Sequence, residues 1–269
     1  EITGAEGSTD PVAHAVPAWD LLAGNLCVSS LLAAERHRLR NGVGQDVELS
    51  LKDVAAAALG HLGMIGDAVL NDAPRTKAGN ALYGAYGQDF VCKDGERVMV
   101  IGLTDRQWRG LVKITDTGAQ MDALAKRMKR DLMQEGARWE LRHEITEILK
   151  PWFAARPIAA FEEAFKAAGL TWSQFRSLKA ALAEDQDLSA ENPMFTDLHQ
   201  TGLGRFPVPS SPVSFSEHPR EAARPAPQLG MHTEEILGDV VGMDDREISR
   251  LFDRGIVQSP NFAVVRPAA

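Results

Sequence analysis

The stretch FVCKDGERVMVI, residues 90–101, decides the fold of the central part of the chain. Two apolar runs, residues 90–93 and 97–101, flank the dipeptide Asp94-Gly95. Because Asp-Gly accepts the positive φ angles of a tight turn, this pattern predicts a β-hairpin. We therefore expect an antiparallel pair of strands at the centre of a small domain.

Helical patterns follow the hairpin along the chain. The predicted helices are residues 105–115, residues 119–132, residues 139–152 and a segment opened by Pro157. In the third of these, Leu141, Ile145, Ile148 and Trp152 form one apolar stripe at helical spacing. After Pro157, Ile158, Phe161 and Phe165 are expected to face one way. Hairpin and helices together predict a small α+β domain over residues 75–185.

A different pattern precedes the hairpin. Residues 17–40 predict a helix that is apolar on nearly every face, and such a helix is buried inside a larger structure. Its basic end, residues 35–40, is expected to be solvated. Residues 46–51 alternate polar and apolar side chains, which predicts a strand. A second helix is predicted over residues 52–70, so this region indicates half of an α/β unit.

The last third of the chain has an irregular composition. Glycines and prolines interrupt it after Asp185. A short strand is possible at residues 212–216, and residues 217–230 are typical of a linker. Short amphipathic helices are predicted at residues 233–240 and 244–252, with Thr233 capping the first.

Composition argues against several classes of partner. The formal net charge is -8, whereas nucleic-acid binding needs clustered Lys and Arg, so no nucleic acid is expected. No apolar run approaches the ~20 residues that span a bilayer, so no membrane is expected either. The two cysteines, Cys27 and Cys92, are predicted to be buried free thiols, typical of a cytoplasmic protein. The opening, from Glu1, is loop-like, which favours a processed or partial chain.

Residues 77–90, KAGNALYGAYGQDF, are the most informative stretch for function. On composition alone, a flexible surface connection is the simpler interpretation. The functional interpretation is a mobile lid, because glycines let the backbone approach a ligand and offer amide donors to a developing oxyanion. A closing lid also keeps water away from a reactive acyl intermediate.

No conventional catalytic signature accompanies this loop. The seven histidines are scattered and none lies at metal-ligand spacing, so we expect no metal and a structural role for each. Asp20 could be a catalytic carboxylate. An acid in the first turn of a helix is also favoured by the helix dipole, which is the simpler interpretation.

Several short motifs, in this order along the chain, resemble the family III CoA-transferases. They are PAWDLLAG (residues 17–24), AAER (33–36), NGVGQDVELSLKD (41–53), YGAYGQDF (83–90) and PQLGMHTEEIL (227–237). Asn41 stands where the family usually has Thr. Within the family, Trp19, the 83–90 stretch and ENPMF (191–195) resemble most the mesaconyl-CoA C1–C4 transferases, also called 2-methylfumaryl-CoA isomerases.

The resemblance implies an enzyme that moves coenzyme A between carboxylic acids. An aspartate attacks the acyl-CoA thioester and forms a mixed anhydride, and the CoA then passes through an aspartyl thioester to an acceptor carboxylate. In the isomerases, donor and acceptor are the two ends of mesaconate. The nucleophilic aspartate is expected upstream of Glu1, so no catalytic residue is expected in this chain, which looks like the C-terminal two-thirds of a family member.

The resemblance also assigns five residues to an active-site lid: Asn80, Gly84, Tyr86, Gly87 and Gln88. Ala85 and Tyr86 depart from the all-glycine lid of some relatives, which makes the loop stiffer. Coenzyme A is expected as a substrate, with no permanently bound cofactor.

The architecture implied by the resemblance is an α/β fold, with a partial Rossmann-like large domain made from both chain ends and a small central α+β domain. Residues 1–74 are the remainder of the large domain and 75–185 the small domain. Residues 186–230 form a linker, and 231–269 are C-terminal helices returning to the large domain. Family members form interlocked homodimers, so a homodimer is expected.

Two other classes of function stay open. An α-methylacyl-CoA racemase shares this fold but abstracts a proton with a His–Asp pair, and another family III transferase could act on a different acyl group. The chain could also be an inactive fragment or an oligomerisation scaffold. The residues upstream of Glu1 would discriminate between a lone aspartate and a His–Asp pair.

Overall fold

The computed structural model describes residues 2–71 and 75–260. The chain divides into two compact units, Glu1–Phe175 and Arg176–Ala269, which are described separately below. The helices of the first unit are α1 (Ala18–Asn41), α2 (Leu51–His61), α3 (Met64–Leu70), α4 (Asp105–Thr115), α5 (Gly118–Met128), α6 (Glu135–Glu140), α7 (Arg142–Ala154) and α8 (Glu162–Ala168). Its strands are β1 (Tyr86–Val91), β2 (Arg97–Gly102) and β3 (Thr171–Gln174).

The three strands form an antiparallel sheet in the order β1-β2-β3. The predicted hairpin is confirmed, with Phe90 opposite Val98. Gly95 takes a φ of 83° in the turn, a conformation that glycine adopts without steric penalty. The third strand was not predicted. It places Trp172 opposite Val100 on the far side of β2.

The hydrophobic core of this unit lies between the sheet and the helices that follow it. Phe153 of α7 stacks on Phe90 of β1, with ring centroids 4.2 Å apart. Residues Ile145 and Leu149 of α7 are also completely buried, so α7 presents one apolar stripe to the sheet, as its sequence periodicity predicts. Helix α4 has the predicted bounds and begins with a capping box between Thr104 and Gln107.

The segment after Pro157 folds as a short 3-10 turn, Ile158–Ala160, followed by α8. Ile158, Phe161 and Phe165 are all buried against the core, which confirms that they face one way. Gly169 ends α8 in the left-handed conformation and leads into β3. The predicted helix over 139–152 is in fact two helices, α6 and α7, which meet at Leu141.

Helices α1 to α3 behave differently. α1 forms where predicted, and Gly42 ends it with a left-handed φ of 72°. The basic end is exposed as expected, but no residue of α1 is buried within the part of the chain that the structure describes. The predicted second helix is interrupted at Gly63, which has a φ of 74°.

The strand predicted at residues 46–51 is wrong. The backbone at Ser50 is extended, but residues 43–50 pair with no strand in the described part of the chain. A strand is defined by ladder hydrogen bonds to a neighbour, and alternation alone does not supply one. Ser50 instead caps α2, because its hydroxyl accepts a hydrogen bond from the amide of Asp53 at 3.4 Å.

The second unit contains α9 (Leu178–Glu184), β4 (Phe195–Gln200), β5 (Gly204–Pro209), α10 (Thr233–Glu235) and α11 (Asp245–Asp253). Strands β4 and β5 form an antiparallel hairpin, which was not predicted for this stretch of irregular composition. No strand forms at residues 212–216. Thr233 is not the cap of its helix, since His232 takes that position and the Thr233 hydroxyl donates to the carbonyl of Gln258.

The two cysteines differ in exposure. Cys92 is buried, as predicted, and burial raises the pKa of its thiol to about 11. Cys27 lies on α1 and is exposed, so its predicted burial is not found in this chain. Among the described residues no single helix is long and apolar enough to cross a membrane, although α2 and α3, which meet at 66°, reach that length and composition together.

Candidate active-site loop

The glycine-rich loop, residues 77–85, leads directly into β1. Its far end is closed by a hydrogen bond from the Leu82 amide to the Gly87 carbonyl, 3.0 Å long. A second turn is closed by the Ala81 amide, which donates to the Ala78 carbonyl at 3.0 Å. The loop is therefore a defined pair of turns beside the sheet.

Two of the five predicted lid residues lie in this loop. Asn80 is exposed. Gly84 has a φ of 82° and open space where a side chain would be. A residue with a Cβ would be strained at that φ, so the turn favours glycine here, and the predicted lid role of Gly84 stays a prediction.

The other three lie in β1 rather than in the loop. Tyr86 is fully buried, packs edge-on against Trp108 at 5.8 Å and shares a hydrogen bond of 3.0 Å with the Thr146 hydroxyl. Burial raises the pKa of Tyr86, so its hydroxyl stays protonated. Tyr86 thus anchors the strand below the loop, and its predicted role in a mobile lid stays a prediction.

Gly87 is a packing glycine. A Cβ there would lie 2.7 Å from the Cβ of Leu82 and 3.3 Å from Ile101 and Met99. The loop therefore folds directly onto β1 at this point, and only a residue without a side chain allows that approach. Gln88 is half-buried next to it, and its amide donates to the Asp89 carboxylate at 3.0 Å.

A cavity of about 510 Å³ opens beside Gln88. Its lining includes three cationic side chains, Lys93, Arg97 and Lys150, and one carboxylate, Asp89. Arg97 is paired with Asp89, and Lys150 lies 3.3 Å from the Glu147 carboxylate. Two of the three cations are therefore already balanced by carboxylates.

The N-terminal segment, residues 2–7, lies against the loop. The Gly79 amide donates to the Gly4 carbonyl at 3.2 Å, and the ammonium of the buried Lys77 donates to the carbonyl of Asp10. Gly4 is itself enclosed, since a Cβ there would lie 3.1 to 3.2 Å from Lys77 and Val12. The loop and the start of the chain are thus held in a fixed relation.

The sequence missed the side chains that fix this relation. Tyr83 of the loop packs on Trp139 of α6, and Arg142 of α7 pairs with Glu6 of the N-terminal segment. These residues are far apart along the chain. Their only sequence signal is the presence of aromatic and arginine residues beside a glycine-rich stretch, which is too general to identify contacts.

The remaining candidates do not assemble into a second site. Asp20 is exposed in the first turn of α1, consistent with its simpler interpretation. No group of His, Cys, Asp and Glu that could hold a metal occurs among residues 2–71 and 75–260. In the second unit, a cavity of about 650 Å³ is lined mainly by apolar residues of the 227–237 stretch.

The family profile of CoA-transferase family III matches residues 1–233. The chain belongs to CoA-transferase family III. The resemblance found in the sequence motifs is therefore confirmed. Its fold is that of the CaiB/BaiF family III CoA-transferases and mixes helices and sheets as the predicted α/β class requires. The described sheets are both antiparallel, so the Rossmann-like large domain stays a prediction.

Individual family III relatives share different amounts of sequence with the chain. It is 46% identical to the 2-methylfumaryl-CoA isomerase of Chloroflexus aurantiacus over 97% of its own length and 64% of the relative's. It is 28% identical to the human succinyl-CoA:glutarate CoA-transferase, over 95% of this chain and 56% of that protein. A solved CaiB/BaiF family protein from Brucella suis superimposes with a TM-score of 0.64 at 20% identity, over 89% of this chain and 59% of that one.

These coverages show how much of each relative the chain corresponds to. It spans just under two-thirds of the length of the Chloroflexus relative and less of the other two. The activity of a complete family member therefore belongs to the proposals that follow.

Proposed function

We propose that this chain is part of an enzyme that transfers coenzyme A within one dicarboxylate, converting the C1 thioester of mesaconate to the C4 thioester. The observation that carries the proposal is the 46% identity to a 2-methylfumaryl-CoA isomerase, sustained over 97% of the chain. The succinyl-CoA:glutarate transferase shares only 28% identity, so the dicarboxylate isomerase is the better supported relative.

The chemistry is covalent catalysis by an aspartate that lies upstream of Glu1 in the proposed complete protein. Its carboxylate attacks the thioester carbonyl, the C–S bond breaks, and a mixed anhydride and CoA thiolate result. The thiolate attacks the aspartyl carbonyl and releases the dicarboxylate, leaving an aspartyl-CoA thioester. The other carboxylate of mesaconate attacks that thioester, and the thiolate then attacks the new acyl carbonyl, which regenerates the aspartate.

The contribution of this chain is the glycine-rich loop as a lid. An anhydride hydrolyses readily, so the intermediate must be shielded from water. The exposed Asn80 and the half-buried Gly84 lie in the two turns, while Gly87, Gln88 and the buried Tyr86 belong to the strand that carries them. In this proposal the turns close over the intermediate and the strand provides their fixed base.

The partners follow from the same proposal. Coenzyme A is a substrate, and the protein acts in the cytoplasm as an interlocked homodimer. Leu21, Leu31 and Leu32 belong to an exposed apolar surface of α1. Large exposed apolar patches mark interaction sites, which supports the proposal that further polypeptide packs against α1 in the complete protein. In this proposal residues 1–74 belong to a large Rossmann-like domain and residues 75–185 to a small one. Residues 186–230 link to C-terminal helices that return to the large domain.

The experiment compares two forms of the protein. A chain extended upstream to the length of the Chloroflexus relative should convert mesaconyl-C1-CoA to the C4 thioester, while the 269-residue chain alone should not. A panel of other acyl-CoA thioesters with added carboxylate acceptors serves as the specificity control. Turnover by the 269-residue chain alone would contradict the upstream nucleophile. Proton exchange at the α-carbon of an α-methylacyl-CoA, without CoA transfer, would favour the racemase alternative.

A further inference from the structure

Four side chains form a continuous stack beside the glycine-rich loop. The guanidinium carbon of Arg75 lies 3.7 Å from the centre of the Tyr83 ring. The Tyr83 ring packs on Trp139 with centroids 5.0 Å apart and planes tilted by 60°. On Trp139 lies the guanidinium of Arg142, 4.1 Å from the ring centre. Two adjacent aromatic rings are therefore flanked by one guanidinium on each side, each contact in attractive geometry.

Each end of this stack is held by a carboxylate. Arg75 pairs with Asp67 of α3 at 3.1 Å, and Arg142 pairs with Glu6 at 2.7 Å. Arg142 is further fixed by a hydrogen bond to the carbonyl of Trp139 at 3.2 Å. We call the four stacked residues together with Glu6 the cation–aromatic stack. It joins α3, the loop, α6, α7 and the N-terminal segment.

The stack is not explained by core packing. The Tyr83 side chain remains half exposed at 51%, and the Glu6 side chain is 44% exposed. Tyr83 sits in the turn next to Gly84, where a side chain would meet open space. Two hydrogen bonds, from the Gly79 amide to Gly4 and from Lys77 to Asp10, tie the start of the loop to the N-terminal part of the chain. At the turn that carries Tyr83, the hydrogen bond from the Leu82 amide stays within the loop and the start of β1, so the stack is the contact that joins this turn to α6 and α7.

We propose that the cation–aromatic stack positions the glycine-rich loop against the N-terminal segment, with Tyr83, Trp139, Arg142 and Glu6 as positioning residues for CoA transfer. The inference rests on the proposed function, in which the nucleophile precedes Glu1 and the loop shields its anhydride. Arg142 is the joint between the two parts, since one guanidinium contacts both the Trp139 ring and the Glu6 carboxylate. None of these residues contacts the reacting atoms in this proposal.

The test uses the extended chain and three variants. Tyr83→Ala removes the ring from the stack. Tyr83→Phe keeps it, and the Tyr83 hydroxyl has no hydrogen-bond partner among the described residues. Phe215→Ala removes an exposed aromatic ring of the second unit, outside the stack. The measured quantities are the ratio of free CoA released to thioester transferred, and hydrogen–deuterium exchange in residues 78–85 and 2–7.

We expect Tyr83→Ala to raise the ratio of hydrolysis to transfer about tenfold, the effect of losing one aromatic pair and one cation–π contact together. Exchange should become faster in both segments. Tyr83→Phe and Phe215→Ala should match the wild type. If Tyr83→Ala does not fold, Glu6→Gln provides the same test from the exposed end of the stack, with a smaller rise in the ratio.

Three results would overturn the inference: an unchanged ratio in Tyr83→Ala, a Tyr83→Phe variant as defective as Tyr83→Ala, or unchanged exchange in both segments. A wild-type extended chain that transfers no CoA would overturn the proposed function instead. In that case the exchange measurement alone decides whether the stack positions the loop, since it needs no substrate.

Discussion

The central sheet with its helices and the N-terminal helices α1 to α3 are both rich in apolar residues, yet only the first forms the hydrophobic core of the described residues. Ile145, Leu149 and Phe153 of α7 are completely buried, whereas Leu31 of α1 is 68% exposed and Val69 of α3 is 75% exposed. The difference shows that apolar periodicity predicts a helix, while burial depends on which partners the chain supplies. The central core finds its partners between residues 86 and 174.

The largest expected effect compares one buried and one exposed residue of these two regions. Phe153→Ala should lower the free energy of unfolding by about 3–5 kcal/mol, because it opens a cavity under four aromatic neighbours. Leu31→Ala should change it by less than ~0.5 kcal/mol. Urea denaturation of the 269-residue chain measures both. Similar losses would contradict the difference in packing.

The second prediction concerns Leu31→Ala in the extended chain. If further polypeptide covers α1 there, the substitution should lower the free energy of unfolding by about 2–5 kcal/mol, as for a Leu truncation in a packed core. The matched control is Leu178→Ala, a residue of the second unit that is 72% exposed in this chain and lies outside the proposed large domain. A loss of unfolding free energy below ~0.5 kcal/mol for Leu31→Ala in the extended chain would show that α1 is not covered there.

The third prediction separates two glycines of the loop region. Gly87→Ala should destabilise by about 1–3 kcal/mol, because its methyl group would overlap Leu82 and force the loop off β1. Gly84→Ala should lower the free energy of unfolding by about 1 kcal/mol, through backbone strain alone. Thermal denaturation with hydrogen exchange distinguishes them, since the first should loosen β1 and the second only the turn. The reverse order would show that Leu82 moves aside freely.

The smallest effect is the pH dependence of the Glu6 ion pair. The hydrogen bond from Arg142, with smaller contributions from His143 and from the charge of Arg142, lowers the pKa of Glu6 in the folded state. The stability it contributes is therefore present above the ordinary pKa of a Glu carboxyl and is lost as pH falls through the lower, folded value.

Comparison of the wild type with Glu6→Gln across pH isolates this contribution. We expect a small difference in the unfolding free energy near neutral pH, because the pair is partly exposed, and convergence of the two curves under acidic conditions. A difference that persists below the folded pKa would show that Glu6 acts through something other than its charge.

Features coded by adjacent residues were predictable. The turn Asp94-Gly95 located the hairpin, and the helix predicted over residues 105–115 has the bounds of α4. Gly42 marked the end of α1. In each case the residues that specify the conformation lie within a few positions of one another. A short stretch of sequence is therefore enough to predict it.

Features that depend on distant partners were not predictable. The alternating residues 46–51 find no strand to pair with among the residues that the structure describes. In contrast, β5 forms a hairpin despite Pro207 and Pro209, which a two-stranded ribbon tolerates at its edges. Cys27 is exposed because the cover of α1 is not supplied by the described residues. The contact of Arg142 with Glu6, 136 positions apart, has no local signal.

The same distinction applies to the proposed site. The motif resemblance identified the family and the loop, but it could not show that Tyr86 and Gly87 belong to β1 rather than to the loop. Gly87 is required by the contact with Leu82, and Tyr86 by its place between Trp108 and Thr146. Both requirements follow from packing, which sequence motifs do not describe.

We propose that this chain shields an acyl-aspartate whose carboxylate lies upstream of Glu1. The most direct measurement is oxygen transfer in a single turnover. Mesaconyl-C1-CoA that carries ¹⁸O in both oxygens of its free carboxylate is incubated with a molar excess of the extended chain and quenched after one turnover, and the protein is then digested and analysed by mass spectrometry. We predict one heavy oxygen in the carboxylate of a single aspartate, in a peptide that precedes Glu1. Label in a peptide from residues 1–269, or none in the protein despite full conversion to the C4 thioester, would contradict the account.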